Sequence, residues 1–228
     1  MRRAIVASLG LAASLVFASA AAAQEVHIGP VNPGAEDHVG GLPGAGWNVF
    51  ASGNGLVNAL PGSGKDGTAG FGIGTTDTAG VSDLRSDGVD VRGVVDGKVD
   101  FAFDYRLLAD FPSSGFPSGN LRVQLRFFGG TTSLNPADYR GGTELFVGAA
   151  TGDVGSAAGA WKTATLNDFA IPGGSSFVDI RIPVGIFDQT FVGAANFDNF
   201  TIRAVVPEPA SLSLLGLAAV GLMRRRRA

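Results

Sequence analysis

Val99-Asp100-Phe101-Ala102-Phe103-Asp104-Tyr105-Arg106-Leu107 decides how this chain folds. Its odd positions are apolar and its even positions mostly polar. A period of two puts valine, the aromatics and leucine on one face of a β-strand. Leu121-Arg122-Val123-Gln124-Leu125-Arg126-Phe127 and Val178-Asp179-Ile180-Arg181-Ile182 repeat the pattern. Outward from these, shorter strands are expected at Trp47 to Ala51, Phe71 to Gly74, Val89 to Val95, Leu145 to Val147 and Trp161 to Leu166.

Clusters of glycine and proline separate the strands: Gly40-Gly41-Leu42-Pro43-Gly44, Pro61-Gly62-Ser63-Gly64, Ser113-Ser114-Gly115-Phe116-Pro117 and Pro172-Gly173-Gly174. Such residues turn the chain and break helices. Strands with one polar face and rich turns predict an all-β fold, an antiparallel β-sandwich or jelly roll. No repeat of fixed period and no strong helical periodicity interrupts this region.

Helices are expected only in the flanking segments. At the N-terminus, Arg2 and Arg3 precede an apolar stretch from Ile5 to Phe17 and a run of small residues ending Ala21-Ala22-Ala23-Gln24. This is the layout of a secretory signal-peptide helix, with cleavage expected between Ala23 and Gln24 by signal peptidase. At the C-terminus, Ala210 to Met223 is an apolar run of 14 residues closed by Arg224, Arg225, Arg226 and Arg227. It is shorter than the ~20 residues of a plain spanning helix. Arginines that snorkel to the interface extend its reach, so a transmembrane helix is expected, with the arginines cytoplasmic. Three segments follow: signal peptide 1–23, one β-sandwich domain 24–205, and a tail 206–228.

Six of the 17 Lys and Arg lie in the two flanking segments, against one of the 20 Asp and Glu, which leaves the domain at about −8. A surface this acidic repels a phosphate backbone, so no nucleic-acid partner is expected. Its carboxylates suit hard cations such as calcium. The absence of cysteine removes disulfides, thiol catalysis and thiolate metal sites.

Several motifs fail on context. Gly62-Ser63-Gly64-Lys65-Asp66-Gly67 has the spacing of a dinucleotide fingerprint, but a strand rather than a helix is expected after it. His27 and His38 are the only histidines; no nucleophile elbow accompanies them, and both are expected at the surface of a mobile segment. Asn199-Phe200-Thr201 falls inside an expected strand and is given no weight as a glycosylation site. The closing strand Phe197-Asp198-Asn199-Phe200-Thr201-Ile202 raises one chemical question. By parity Asp198 shares the inward face of Phe200 and Ile202, and an inward carboxylate is costly unless paired, hydrogen-bonded or on a metal.

Asn32-Pro33-Gly34-Ala35-Glu36, then Gly46-Trp47, then Asp198-Asn199-Phe200 resemble the opening and closing segments of the galactose-binding-like jelly rolls, which include several carbohydrate-binding-module families. The chain departs from them at Ala35, where phenylalanine is usual. The resemblance implies a structural calcium held by Glu36 and Asp198, with Asp66 of the Gly64-Lys65-Asp66 turn as a further candidate. It also implies sugar binding by exposed aromatic rings. Trp47, Trp161 and Tyr105 sit where core packing is expected, and Tyr139 is expected at the surface.

Val206-Pro207-Glu208-Pro209, the apolar run and the terminal arginines closely resemble the PEP-CTERM sorting signal of Gram-negative bacteria. The resemblance implies recognition at Pro207, Glu208 and Pro209 by an exosortase, a membrane protease-transpeptidase. The chain would sit briefly in the inner membrane and then pass to the cell surface or extracellular matrix, where exopolysaccharide and biofilm accumulate. The leading expectation is a non-enzymatic, exported β-sandwich that binds exopolysaccharide. The alternatives are a secreted hydrolase of matrix polysaccharide and a structural matrix protein without a ligand.

Overall fold

The computed structural model describes residues 23–76, 80–108, 119–130, 135–152, 159–185 and 191–207. The expected signal peptide up to residue 22 and the tail from Glu208 onward, with Pro209 and the four arginines, lie outside the described residues. Among the described residues, no helix is long and apolar enough to cross a membrane.

Two antiparallel sheets face each other. The first contains β10 (Lys162–Ala170), β7 (Lys98–Leu107), β12 (Gly193–Pro207), β4 (Gly70–Thr75) and β3 (Gly55–Leu60) in that order, with β1 (Ala23–Gly29) also on β12. The second runs β2 (Trp47–Ser52), β5 (Val81–Ser86), β11 (Phe177–Val184), β8 (Asn120–Phe128) and β9 (Tyr139–Gly148), with the short β6 (Val89–Asp90) on β11. The expected β-sandwich is therefore the observed fold.

Alternation fills the space between the sheets. Val99, Phe101, Phe103, Tyr105 and Leu107 of β7 are all buried. Leu121, Val123, Leu125 and Phe127 of β8 meet them from the other sheet, with Val178, Ile180 and Ile182 of β11. At one end of this core Phe200 lies 5.2 Å from Trp47, 5.6 Å from Phe103 and 5.9 Å from both Phe71 and Phe197, centroid to centroid. Trp47 and Tyr105 are core residues as expected. Trp161 is not: it is half-buried just before β10, with the Arg106 guanidinium 5.0 Å above its ring.

The closing strand departs from its simple parity. The pairing of β12 with β7 shifts register between Asp198 and Thr201, and Asn199 takes φ 52°. This is a β-bulge, which turns the side chains that follow it. Phe197 and Phe200 consequently both enter the core. Asp198 instead lies on the other face with Asp104, its directly opposite partner on β7, buried under the loops.

Three other expectations change. Val89 to Val95 is a strand only over Val89–Asp90. His27 is exposed but belongs to β1, opposite Arg203. The last strand does not stop before the Pro-Glu-Pro motif: Val206 and Pro207 remain paired with Gln24 and Ala23. The expected leader cleavage point and the start of the tail thus lie side by side at one sheet edge. Proline is tolerated there because an edge position at a strand end demands no further ladder donor.

Candidate functional site

Two regions bring chemically capable side chains together. The first is a cluster above the first sheet, where the bulge leaves Asp198. Its Oδ2 accepts hydrogen bonds from the Lys65 backbone amide at 2.7 Å and Thr68 Oγ1 at 2.9 Å, and Oδ1 accepts one from the Asn199 amide at 2.7 Å. Burial pushes the Asp198 carboxyl above the usual range; these donors oppose that shift, and the nearby charge of Glu36 adds to it. Asp104 receives Lys65 Nζ at 3.1 Å, Asn199 Nδ2 at 3.0 Å and the Thr163 hydroxyl. Burial raises Asp104 too, but those three donors and the Lys65 charge together hold it below the usual range. Each aspartate accepts three hydrogen bonds from local donors, which fixes the Lys65–Thr68 turn to the sheet.

A second carboxylate approaches Asp198 from the loop that precedes β2. The 30–37 loop crosses above Asp198, anchored by Trp47 Nε1 to the Asn32 carbonyl at 2.9 Å and by the Phe200 amide to the Pro33 carbonyl at 3.2 Å. Ala35, where phenylalanine is the usual residue of the resembled family, is fully buried at φ 60°. Gly34 allows the close approach: a Cβ there would stand 2.6 Å from Asp198 Oδ1 and 3.3 Å from Glu36 Oε1. Carboxylate oxygens of Asp198 and Glu36 therefore approach the same side of Gly34, where no Cβ could be accommodated without a shift. The Lys65 ammonium, whose backbone amide holds Asp198, pairs with Asp104 instead. Two carboxylates are fewer than the six to eight oxygens that calcium takes. The structure brings Glu36 and Asp198 together as expected, whereas Asp66 is exposed at φ 59° in the neighbouring turn. Among the described residues, no three His, Asp or Glu side chains gather as a metal-binding group.

The second region is the outer face of the second sheet. Cross-strand partners form a polar rung Asn48–Arg85–Arg181–Gln124–Glu144 across all five long strands. Two residues along, Phe50 pairs with Asp83 and Asp83 with Pro183, while Arg122 pairs with Phe146 on the far side. Phe50 is 57% exposed on β2, Phe146 43% on β9, and Tyr139 51% at the start of β9. At ~4.8 Å per strand step, the two phenylalanines stand about 19 Å apart.

Between the aromatics lies a charge network. Arg181 grips Asp83 with Nε at 2.9 Å and NH2 at 2.8 Å. Arg126 forms the same two-pronged contact with Asp179, Nε at 2.9 Å from Oδ1 and NH2 on Oδ2. The Asp179 side chain is wholly buried. Its burial pushes the carboxyl up, against the pull of Arg126, Arg85 and Arg181. Arg122 pairs with Glu144 at 3.2 Å and lies 5.7 Å over the Phe146 ring. Gln124 Nε2 donates to Glu144 at 2.8 Å, while Gln124 Oε1, Arg122 Nε and Arg85 Nε have no hydrogen-bond partner. Tyr139 was legible in the sequence as the exposed aromatic; Phe50 and Phe146 were not. Their signal was parity opposite the inward residues Trp47 and Val147.

The C-terminal residues 205–227 match the PEP-CTERM protein-sorting motif. The motif marks the chain as an exported, membrane-passing exosortase substrate. No curated protein matches the chain in sequence. Among solved structures, the chain is similar to the arabinose-bound MgGH51 α-L-arabinofuranosidase: 14% identity, TM-score 0.50, 77% of this chain and 26% of that one. It is also similar to the enzymatically active domain of bacteriophage CBA120 tailspike protein 4: 10% identity, TM-score 0.49, 78% of this chain and 21% of that one. A family 11 carbohydrate-binding module from Clostridium thermocellum, in complex with a β-1,3-1,4-mixed-linked tetrasaccharide, matches at 14% identity and TM-score 0.46, over 82% of this chain and 99% of that one. The chain thus spans about a quarter or less of the first two proteins. Identities this low speak to the β-sandwich fold alone.

Proposed function

We propose that this protein is a non-catalytic, exosortase-sorted surface or matrix protein that binds polysaccharide on the outer face of its second sheet. The observation that carries this reading is the exposure of Phe50 and Phe146 at opposite edges of one face, with planar hydrogen-bonding side chains between them. A sugar ring has an apolar face that packs on an aromatic ring and a rim of hydroxyls that donate and accept. Aromatic rings supply area at little entropic cost, and arginine forks and amides supply directed bonds. The face is a broad platform about 19 Å across, which suits a chain of sugars lying along it. The PEP-CTERM motif delivers the domain to the exterior, where such chains are found.

The test is a glycan array followed by polysaccharide pull-down with the whole chain in detergent. Retention on at least one soluble polysaccharide, at micromolar to millimolar Kd, is the expected result. Retention on none leaves a structural matrix protein without a ligand and overturns the reading.

We also infer that Glu36 and Asp198 hold a structural calcium. Calcium takes six to eight oxygens, so backbone carbonyls of the 30–37 loop and water complete the set around the two carboxylates. The ion neutralises their repulsion and ties the loop to the bulge of β12. Calcium is expected to raise the melting temperature relative to chelator. The gain is about 2.7 kcal/mol at one hundred times its Kd. Glu36→Gln is expected to remove most of that shift without lowering the chelated melting point. Identical melts with calcium and with chelator would sink the assignment.

A further inference from the structure

The charges on the proposed binding face do not balance locally. Arg85, Arg126 and Arg181 occupy three neighbouring strands, with Asp83 and Asp179 as the carboxylates among them. Arg181 and Arg126 take those two carboxylates in two-pronged contacts. Arg85 is left with a long 3.4 Å contact to Asp83 and a 4.0 Å approach to Asp179, and its Nε, itself buried, has no hydrogen-bond partner, so the exposed part of the side chain lies beyond that atom.

Arg85 also stands directly opposite Arg181 across the β5–β11 pair. Like charges in that relation repel and destabilise a sheet. Partial burial and the positive charge of Arg126 and Arg181 both work against its own protonation, with Asp83 and Asp179 only partly offsetting them. The Arg85 side chain is 34% exposed, against 12% for Arg181 and 15% for Arg126. The least paired guanidinium is therefore the most accessible. It sits one strand inward from the exposed Phe50, near one end of the platform.

We propose that Arg85 receives a carboxylate of an acidic polysaccharide, so that the face selects uronic-acid-containing chains over neutral ones. This rests on the polysaccharide-binding reading above and names its ligand class. A ligand carboxylate restores one negative charge to each of the three guanidiniums. It offers the planar two-oxygen edge that an arginine fork matches, which a single hydroxyl does not. Bulk charge does not explain such a preference, because the domain as a whole is near −8 and repels polyanions.

The test compares binding of the whole chain to polygalacturonate and to the same polymer fully methyl-esterified, with dextran sulfate and dextran as a second pair. Wild type is expected to bind the free acid at least about tenfold tighter than the ester. Arg85→Gln is expected to lose that preference, and Arg85→Lys to retain only part of it, because lysine keeps the charge but not the fork. Arg85→Gln relieves the repulsion with Arg181, so its melting temperature is not expected to fall. Equal wild-type binding of acid and ester overturns the acidic-ligand inference while leaving the polysaccharide reading in place. An undiminished preference in Arg85→Gln overturns the role of Arg85. Dextran sulfate bound as tightly as polygalacturonate overturns the carboxylate assignment in favour of anions in general. Binding to none of the four polymers, with none on the glycan array, removes the underlying reading itself.

Discussion

Replacing Phe200 by alanine is expected to cost about 3–5 kcal/mol of folding stability, the range for a large aromatic removed from a packed core. Phe200 is fully buried and contacts four other rings: Trp47, Phe71, Phe103 and Phe197. Those rings come from β2, β4, β7 and β12, so the cavity would open where both sheets meet. Close packing prevents the surroundings from collapsing to fill it. The Phe200 amide also holds the Pro33 carbonyl, so a shift at the bulge reaches the loop that carries Glu36. Urea denaturation is the measurement. Phe200→Leu is expected to lose much less, and a loss below about 1 kcal/mol for Phe200→Ala would show that the cluster is not packed as described.

Replacing Asp179 by alanine is expected to cost about 3–5 kcal/mol, for a different reason. Its side chain is completely buried and holds Arg126, itself only 15% exposed. Burial makes the ionised carboxylate costly, so the intact pair adds little net stability. Removing one half is another matter. Arg85, Arg126 and Arg181 would then share Asp83 alone, and a largely buried guanidinium would lose its partner. Adding Arg126→Met to Asp179→Ala is expected to restore most of the loss, because an apolar residue there carries no stranded charge. Thermal or chemical denaturation of the single and double variants checks this. A double variant no more stable than Asp179→Ala would contradict the stranded-charge account.

Much of this architecture is written in the sequence, because the period of two in β7, β8 and β11 is strong and glycine and proline punctuate the turns. The strands that escape notice are those with weak alternation. β3 reads Gly-Leu-Val-Asn-Ala-Leu and β5 Val-Ser-Asp-Leu-Arg-Ser. The inward positions of β5 are Ser82, Leu84 and Ser86, and both serines are buried because their hydroxyls are bonded: Ser82 to the Gly74 carbonyl, Ser86 from the Ile180 amide. A polar residue in the core looks like a surface residue until its partner is known. β1 escapes notice because nothing in its own sequence shows that its partner is β12, at the far end of the domain.

The candidate sites show the same limit. Glu36 and Asp198 are nameable from the opening and closing segments, and the structure places both near Gly34. The face of Asp198 was misassigned, because a bulge adds a residue that parity counting does not register. Phe50 and Phe146 look like ordinary strand aromatics in sequence. What makes them a pair is the strand order β2-β5-β11-β8-β9, which places residues almost a hundred positions apart at two ends of one rung. The weak pairing of Arg85 is equally invisible, since it depends on Arg181 lying opposite and on both aspartates being held more closely by others.

The outer face of the second sheet carries the proposed function, and the most direct measurement is polysaccharide binding by the double variant Phe50→Ala, Phe146→Ala. Both side chains are exposed, so the fold should persist with an unchanged melting temperature. If each ring contributes about 1.4 kcal/mol or more, affinity for the retained polysaccharide falls on the order of a hundredfold. Undiminished binding by this folded variant would contradict the account and move the sugar site elsewhere on the sandwich.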